Sequence, residues 1–328
     1  MHNIYRGNIY SPAVERSAIW NLVLDLCHSE ERLRKEGYTL PATSTNGTHS
    51  ASHPATRINP PCPDRNPSVP KCAALVIDCE MAGTANGENE LVQVTILDFL
   101  TGRALLSRPV NPSRPILDWR ENFTGLNAAS MSDAVARNEA LDGWEAAQAA
   151  LWRFCDKETI IIGQSLQKDL QVLHTSHSRI IDSAIITADA VLGKKSKIKK
   201  RWGLEALCKE LLGIQIRSPL GADGGGGAHH DALEDALAAR EVVLFCARKR
   251  GQLETWARRT NVSFWRGNGD KRSTPRAGRV QSSKLPRQPA VVRRDETEDD
   301  YEDEDEEPLR WEDVVDWDTW PKSPPDSD

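Results

Sequence analysis

The sequence predicts an α/β domain in which a mixed β-sheet is covered by helices. Ala73 to Ile77 is a short apolar run with β-branched residues, as in a buried strand. The segments 91–100 and 103–110 flank Thr101-Gly102 and are typical of a β-hairpin. Helical and strand patterns then alternate. Three strands followed by this alternation indicate a sheet with helices on its faces.

The remaining elements follow in order between residues 128 and 250. Apolar residues at helical spacing predict helices at 128–137, 144–154, 166–173, 204–212 and 232–250. Continuous apolar runs predict buried strands at 159–162 and 180–181. Together with the first strand and the hairpin, these two strands give a predicted five-stranded sheet.

The chain divides by composition into four parts. Residues 1–40 contain a single predicted helix with a short apolar stripe, which we expect to dock on a core or a partner. Residues 41–71 are rich in Pro, Ser, Thr and Asn, as in a disordered linker. Residues 72–258 are the predicted domain. Residues 259–328 are first basic, then acidic, and predict a disordered tail.

Charge and cysteine content narrow the class of protein. The 328-residue chain has a formal net charge of -6, with basic and acidic residues in separate segments, so it can contact both a polyanion and a basic partner. Its seven cysteines include no Cys-x-x-Cys pair, which argues against a zinc finger or disulfide framework and favours a reducing compartment. No apolar run suits a membrane span and the N-terminus lacks a secretory signal pattern. We expect a soluble intracellular protein.

Two carboxylates follow the first predicted strand. Asp78 and Glu80 are two residues apart, so on a strand they project from the same face. Two such groups at the end of a buried strand repel each other unless a cation neutralises them. Asp-x-Glu is also common at solvated strand ends, but the apolar run before it favours a metal site here.

Two later segments supply further candidates. Asp169 falls in the first turns of the helix after the strand 159–162, and Asp235 lies within the last helix, five residues after His230. Taken singly, each has an ordinary explanation: Asp169 complements the helix dipole, His230 starts a helix, and Asp235 is a surface acid. Their order and types together indicate a shared site.

The order of these motifs resembles that of the DEDDh (DnaQ-like) 3′→5′ exonucleases. Segment 78–81 reads Asp-Cys-Glu-Met, segment 165–170 matches Ser-Leu-x-x-Asp-Leu, and segment 230–236 matches His-Asp-x-x-Glu-Asp-Ala. These forms are similar to the eukaryotic RNA exonuclease branch, the relatives of RNA exonuclease 4 and the interferon-stimulated exonuclease. The resemblance covers residues 73–250 and implies a ribonuclease-H-like mixed five-stranded sheet flanked by helices. Asp231 excludes the family variant with tyrosine at that position.

The resemblance also implies a two-metal mechanism. Two Mg²⁺ ions about 4 Å apart, for which Mn²⁺ can substitute, would be held by carboxylate oxygens. Asp78 would bridge both ions, Glu80 and Asp235 would complete one site, and Asp169 would bind the second through water. His230 would act as general base, because an imidazole can accept a proton at neutral pH.

Substrate contacts are predicted at two places. Met81 would lie near the terminal nucleotide, by the same resemblance. A basic run after residue 193 is a phosphate-binding patch, a nuclear-import signal or an ordinary exposed loop. Its members are Lys194, Lys195, Lys197, Lys199, Lys200 and Arg201.

Two features depart from the family pattern. Gln164 replaces the histidine common before Ser-Leu, which we expect to change a contact behind the metal ligands. A glycine-rich insertion at 221–227 precedes His229 and His230, and a flexible loop there would set how fast the base meets the attacking water. His230 is the predicted base because it has the family spacing to Asp235.

The sequence therefore predicts a 3′→5′ exonuclease that releases nucleoside 5′-monophosphates from single-stranded RNA, with rRNA processing as the pathway that the resemblance suggests. A DNA 3′→5′ exonuclease is the alternative, since ribose selection depends on contacts to the 2′-OH. A non-catalytic nucleic-acid-binding scaffold is a further hypothesis, which the intact motif residues disfavour.

The flanking segments leave one more hypothesis open. The protein could be chiefly an interaction module that works through its N-terminal helix and its acidic tail. That tail contains Trp311, Trp317 and Trp320, a pattern that predicts either a protein partner or a merely solubilising segment. We expect a nuclear location, with the nucleolus as one option within it and the cytoplasm as the alternative.

Overall fold

Strands and helices alternate along the chain in a computed structural model that describes residues 13–41, 59–194, 200–217, 230–269 and 309–310. The strands are β1 Ala74–Thr84, β2 Asn89–Asp98, β3 Ala104–Asn111, β4 Ile116–Asp118, β5 Leu141–Asp142, β6 Ile160–Gly163, β7 Ile180–Asp182, β8 Ile214–Gln215 and β9 Leu309–Arg310. The helices are α1 Ala13–Leu24, α2 Glu30–Lys35, α3 Glu121–Thr124, α4 Ala128–Ala136, α5 Gly143–Phe154, α6 Gln167–Val172, α7 Ser183–Leu192, α8 Leu204–Leu207 with a π-helical turn Cys208–Leu212, α9 Ala232–Arg248 and α10 Arg250–Gly269.

Seven strands form one mixed sheet in the order β5-β3-β2-β1-β6-β7, with β4 paired to the end of β1. The mixed sheet confirms the predicted fold class, but the predicted count of five strands is too low. β4 and β5 are three and two residues long, too short to show an alternating pattern. β1 is central, since it is antiparallel to β2 and parallel to β6.

The two faces of β1 bury different halves of the core. Ala74 and Val76 lie in one buried cluster with residues of α9, α7 and α1. Leu75 and Ile77 lie in another with residues of α5 and α6. Because side chains alternate along a strand, the row that begins with Ala74 and Val76 continues toward position 78 on the face that α9 covers.

The N-terminal segment contains two helices, α1 and α2. The prediction of a single helix there is therefore wrong. The break occurs before Ser29, whose side chain accepts a hydrogen bond from the Arg32 backbone N–H (3.2 Å) and so caps α2. Ile19 and Val23 of α1 belong to the core beside α9. Leu33 is fully buried in the core on the other side of the sheet. These residues are therefore part of the domain.

The described domain is longer at both ends than the predicted range 72–258. Residues 59–71, assigned above to the linker, lie against the domain, and Cys62 among them is 4% exposed. At the other end α10 continues to Gly269. The rest of the predicted linker, 42–58, lies outside the described residues. Most of the predicted tail also lies outside them, including Trp311, Trp317 and Trp320. The described parts of the tail are the end of α10 and β9, which pairs in parallel with β8.

Among the described residues, no helix is both long enough and apolar enough to cross a membrane.

We expect Leu33→Ala to lower the free energy of unfolding by about 2–5 kcal/mol, because it removes a fully buried side chain. The matched control is Leu24→Ala on α1, whose side chain is 37% exposed and which should change stability by no more than about 0.5 kcal/mol. Urea denaturation of both variants measures the difference. Equal, small effects would mean that α2 is not part of the cooperative core.

Candidate active site

β1 delivers two carboxylates to the face of the sheet that α9 covers. Asp78 and Glu80 follow Val76 in the same row of side chains, and the pairing with β2 stays regular until the register shifts between Glu80 and Met81. Glu80 is buried, with 7% exposure. The strand thus holds both groups on backbone that is hydrogen-bonded along its length.

Asp169 lies beside these carboxylates because the backbone of β1 holds it. Its Oδ1 atom accepts a hydrogen bond from the Cys79 N–H (2.9 Å), and the side chain is buried. The turn between β6 and α6 makes this possible. A Cβ atom on Gly163 would lie only 2.8 Å from the Ile77 carbonyl oxygen, so the absence of a side chain lets β6 end this close to β1.

The same turn is braced from behind. Ser165 has a positive φ of 58°, and its N–H donates to Asp182 Oδ1 (2.8 Å), which also accepts from the Ala184 N–H (2.9 Å). The other oxygen, Oδ2, accepts from the Tyr38 hydroxyl (2.6 Å). Asp182 therefore couples the start of α7, the turn before α6 and the N-terminal segment.

α9 begins at the site and supplies the last two predicted groups. Asp231 caps the helix, since its side chain accepts from the Leu233 N–H (2.8 Å). Asp235, one turn further, is 3% exposed. The His230 N–H donates to the Phe123 carbonyl (2.7 Å), and His230 Nδ1 lies 3.3 Å from Asp235 Oδ2. One ligand atom from each of Glu80, His230 and Asp235 lies within 4.8 Å of the others.

Burial and mutual repulsion favour the protonated forms of these carboxyl groups. Burial, with the charges of Asp235, Asp169 and Glu80, raises the pKa of Asp78 well above its ordinary value. Burial raises the pKa of Glu80 to about 7 and that of Asp169 to about 8. Such shifts are typical of carboxylates gathered where a cation is needed to keep them ionised.

Arg217 is a cation at the site that the motifs did not indicate. Its Nε and Nη2 atoms donate to the two oxygens of Asp235 (3.1 and 2.6 Å), and its backbone N–H donates to Glu234 Oε2 (2.9 Å). Burial alone would lower the pKa of Arg217, but the hydrogen bonds and charge of Asp235 raise it. Arg217 thus offsets part of the negative charge.

The donor set fits a hard divalent cation. Four carboxyl groups with oxygen donors converge, and three of them have raised pKa values. Oxygen donors of this kind suit Mg²⁺ or Mn²⁺ better than a thiophilic metal. The site can therefore hold a divalent cation. The individual ligand roles of the four acidic residues stay predictions.

The predicted substrate-binding residues lie in different surroundings. Met81 is half-buried beside the cluster, and its carbonyl accepts a hydrogen bond from Arg120 Nη1 (3.2 Å). Lys194 and Lys200 are exposed. Arg201 is half-buried and pairs with Glu36 (2.8 Å), so part of its charge is used within the protein. Outside the described residues lie Lys195, Lys197, Lys199, the glycine-rich insertion 221–227 and His229.

The departure at Gln164 has a visible consequence. Its Nε2 atom donates to the Trp202 carbonyl (3.0 Å), and its Oε1 atom accepts from the Ser183 hydroxyl. Gln164 therefore ties the end of β6 to α7 and to the segment before α8. The expected change in a contact behind the metal ligands stays a prediction.

Two residues near the site had only weak signals in the sequence. Phe123 is 61% exposed, and its ring stands edge-on to that of His230, with 6.2 Å between centroids. Arg120 donates to the Met81 carbonyl (3.2 Å) and to Asn89 Oδ1 (2.8 Å). An exposed aromatic ring beside the predicted base is a feature that only the three-dimensional structure reveals.

A family model of exonucleases, RNase_T, matches residues 75–243, a little over half of the 328-residue chain. The chain belongs to this exonuclease family. The match spans nearly all of β1 through most of α9, and hence Asp78, Glu80, Asp169 and Asp235. It confirms the family resemblance drawn from the motifs.

Two named relatives are each similar to a little over half of this chain. Small RNA degrading nuclease 2 of Arabidopsis thaliana is 32% identical over 175 residues, which cover 53% of this chain and 34% of the relative. RNA exonuclease 3 of Candida albicans is 30% identical over 182 residues, or 56% of this chain and 40% of the relative. The chain thus spans two fifths or less of the length of these relatives.

Among solved structures, the Pan2 catalytic unit (protease and nuclease domain) of Neurospora crassa is similar to this chain. The TM-score is 0.46 at 17% sequence identity, and the match covers 63% of this chain and 32% of that one.

We expect the metal-free protein to lose stability as the pH rises through the raised pKa values. Glu80 shifts from 4.5 to about 7 and Asp169 from 3.8 to about 8, so the folded state favours their protonated forms. That stabilisation is complete below about pH 4 and is lost between about pH 4 and pH 8. Thermal unfolding across this range with EDTA measures the loss.

A divalent cation should restore stability at the upper end of that range, because it binds the ionised carboxylates. Repeating the melts with excess Mn²⁺ tests this. Glu80→Gln should flatten the pH dependence seen with EDTA. A melting temperature at alkaline pH that Mn²⁺ leaves unchanged would argue against a cation site.

Proposed function

We propose that this protein is a Mg²⁺-dependent 3′→5′ exonuclease that hydrolyses RNA to nucleoside 5′-monophosphates. The observation that carries the proposal is the convergence of Glu80, Asp235 and His230, with Asp78 and Asp169 beside them. Phosphodiester hydrolysis needs both a base for the attacking water and positive charge against the phosphate oxygens. Among these residues, His230 can act as the base, and the carboxylates can hold a cation that supplies the positive charge.

Asp78, Glu80, Asp169 and Asp235 are the residues that would hold the metal. When bound, Mg²⁺ supplies charge stabilisation for the attacking and leaving oxygens. The protein positions its ligands before the substrate arrives, through β1, the Cys79 N–H and the first turn of α9. Such preorganisation is the main contribution a protein scaffold makes to phosphoryl chemistry.

His230 has the geometry of a general base. Its Nδ1 atom lies 3.3 Å from Asp235 Oδ2, which orients the ring and leaves Nε2 to accept the proton. The side chain is 34% exposed, so a water molecule and a terminal phosphate can both reach it. The water oxygen attacks phosphorus as its proton passes to Nε2, and the 3′ oxygen of the preceding nucleotide leaves.

RNA is the proposed substrate because the named relatives include an RNA exonuclease and a small RNA degrading nuclease. Phe123 supports a single-stranded end, since an exposed ring beside the base can stack on an unpaired nucleobase. DNA is the alternative that the test must separate. The rRNA pathway, the nuclear location and a protein partner for the acidic tail remain predictions of ours.

The principal test compares turnover of 5′-labelled single-stranded RNA and DNA by the wild type and by Asp78→Ala, with Mg²⁺ and with EDTA. We expect stepwise shortening from the 3′ end, faster on RNA. Asp78→Ala should lose at least about 10³-fold in kcat, because a metal ligand contributes several kcal/mol of charge stabilisation. No shortening by folded wild-type protein with Mg²⁺ would favour the scaffold hypothesis.

His230→Ala should reduce kcat by about 10²- to 10⁴-fold, the usual contribution of a general base. Binding of Mn²⁺, measured by calorimetry, should weaken far less than in Asp78→Ala. This contrast separates a base from a ligand. A comparable loss of Mn²⁺ affinity in both variants would assign His230 to the metal instead.

Phe123→Ala should weaken binding of single-stranded RNA by about 1–3 kcal/mol if the ring stacks on a base. Fluorescence anisotropy in the presence of Ca²⁺, in place of the catalytic cation, measures the affinity. The control is Trp265→Ala, an exposed aromatic residue on α10. Equal effects of the two substitutions would show that Phe123 has no special part in binding.

A further inference from the structure

Residues 59–72, here called the strap, run along the domain and are fastened to it by backbone hydrogen bonds. Four of these bonds are Ser176 N–H to Pro60 O (2.9 Å), Cys62 N–H to Ser176 O (3.3 Å), Lys157 N–H to Pro63 O (2.9 Å) and Cys72 N–H to Phe154 O (2.9 Å). The strap lies before the region matched by the exonuclease family, which begins at residue 75. Its contacts are therefore a feature of this chain beyond the family match.

The strap places one thiol against another. Cys62 Sγ lies 3.6 Å from Cys155 Sγ, which follows directly after α5, and the residues are 4% and 0% exposed. All seven cysteines are free thiols. Cys62 and Cys155 are the pair among them whose sulfur atoms are in contact. A disulfide has a bond length of about 2.05 Å. The two sulfurs need to approach by only about 1.5 Å, a shift that side-chain rotation and a slight strap movement can provide.

The surroundings of Cys62 favour reaction there first. Its sulfur lies 3.9 Å from the Thr175 hydroxyl, and the buried His177 imidazole contacts it as well. Hydrogen bonding from Cys155 lowers the pKa of the Cys62 thiol below that of an ordinary cysteine, while the same contact raises the pKa of Cys155. A thiolate is the reactive form of cysteine.

We propose that Cys62 and Cys155 form a redox pair that closes to an intramolecular disulfide when the protein meets hydrogen peroxide. The Cys62 thiolate attacks one peroxide oxygen, so a sulfenic acid forms and the other oxygen leaves as water after protonation. The Cys155 sulfur then attacks the Cys62 sulfur. The S–S bond forms as the S–O bond breaks, and hydroxide leaves with the Cys155 proton as a second water. Two electrons pass from the sulfurs to the peroxide.

The disulfide would fix the strap to the residue after α5, beside the loop that follows α6. The strap bonds to Ser176, and the Thr175 N–H donates to the carbonyl of Leu170 within that helix (3.0 Å). Asp169 lies one residue earlier in the same helix. A disulfide between residues 62 and 155 also closes a long loop in the unfolded chain. This lowers the conformational entropy of the unfolded chain and so favours the folded state. The oxidised protein is therefore the more heat-resistant form.

The experiment uses the full chain, purified with a reductant and then treated with hydrogen peroxide. Peptide mapping by mass spectrometry without reduction should find Cys62 linked to Cys155, with a loss of two hydrogens. The melting temperature should rise by roughly 5–10 °C and return to its starting value with dithiothreitol. Wild-type protein whose thiols all remain free under peroxide would overturn the proposal.

Two variants make the result specific. Cys62→Ser and Cys155→Ser should each abolish both the linked peptide and the rise in melting temperature, even if their starting stability differs. Cys27→Ser, at a half-buried thiol, should keep both. The reduced wild-type protein should contain no zinc. If it held one equivalent of zinc and Cys62→Ser held none, the proposal would also be overturned, because the thiols would then be metal ligands. A linked peptide with no change in melting temperature would refute the locking of the strap.

Discussion

The structure depends on holding like charges together at the end of one buried strand. Burying an ionised carboxylate without a partner costs several kcal/mol, and burial raises the pKa of Asp78, Glu80 and Asp169. The fold offsets this cost in two ways: it holds the carboxylates on rigid backbone, and it places a positive charge beside them. β1 is paired on both sides, its Cys79 N–H fixes Asp169, and Arg217 neutralises part of the charge through Asp235.

The support for this arrangement extends beyond the region that the exonuclease family shares. Tyr38, which precedes the family match, donates to Asp182, and Asp182 in turn holds the Ser165 turn before α6. On the other side, α1 contributes Ile19 and Val23 to the core beneath α9. α9 is thus packed against α1, and the turn before α6 is linked to Tyr38 through Asp182. The domain is best defined by its core and not by its motif boundaries.

The strands that form the centre of the fold could be predicted because their patterns are simple. β1, β2, β3 and β6 are apolar runs or an alternating hairpin. α7 was missed for the opposite reason: seven of its ten residues are buried, so it has no polar face and no stripe. The strap was assigned to a linker because its contacts are backbone hydrogen bonds and a thiol pair, which leave no periodic signal. No helix is predicted from the sequence at α10, because polar residues outnumber apolar ones along it.

The acidic residues could be proposed from sequence because each lies in a motif whose local spacing is fixed, but their coupling could not. Asp235 is shared: one oxygen lies 3.3 Å from His230 Nδ1 and 2.6 Å from Arg217 Nη2. Arg217 lies just after β8 and eighteen positions before Asp235 in the sequence. Nothing in that spacing indicates that the two residues are in contact. The same carboxylate is thus a predicted metal ligand, the partner of a half-buried cation and the group that orients the predicted base. Its charge state therefore affects cation binding and the position of His230 together, so a substitution at Asp235 cannot separate these two functions.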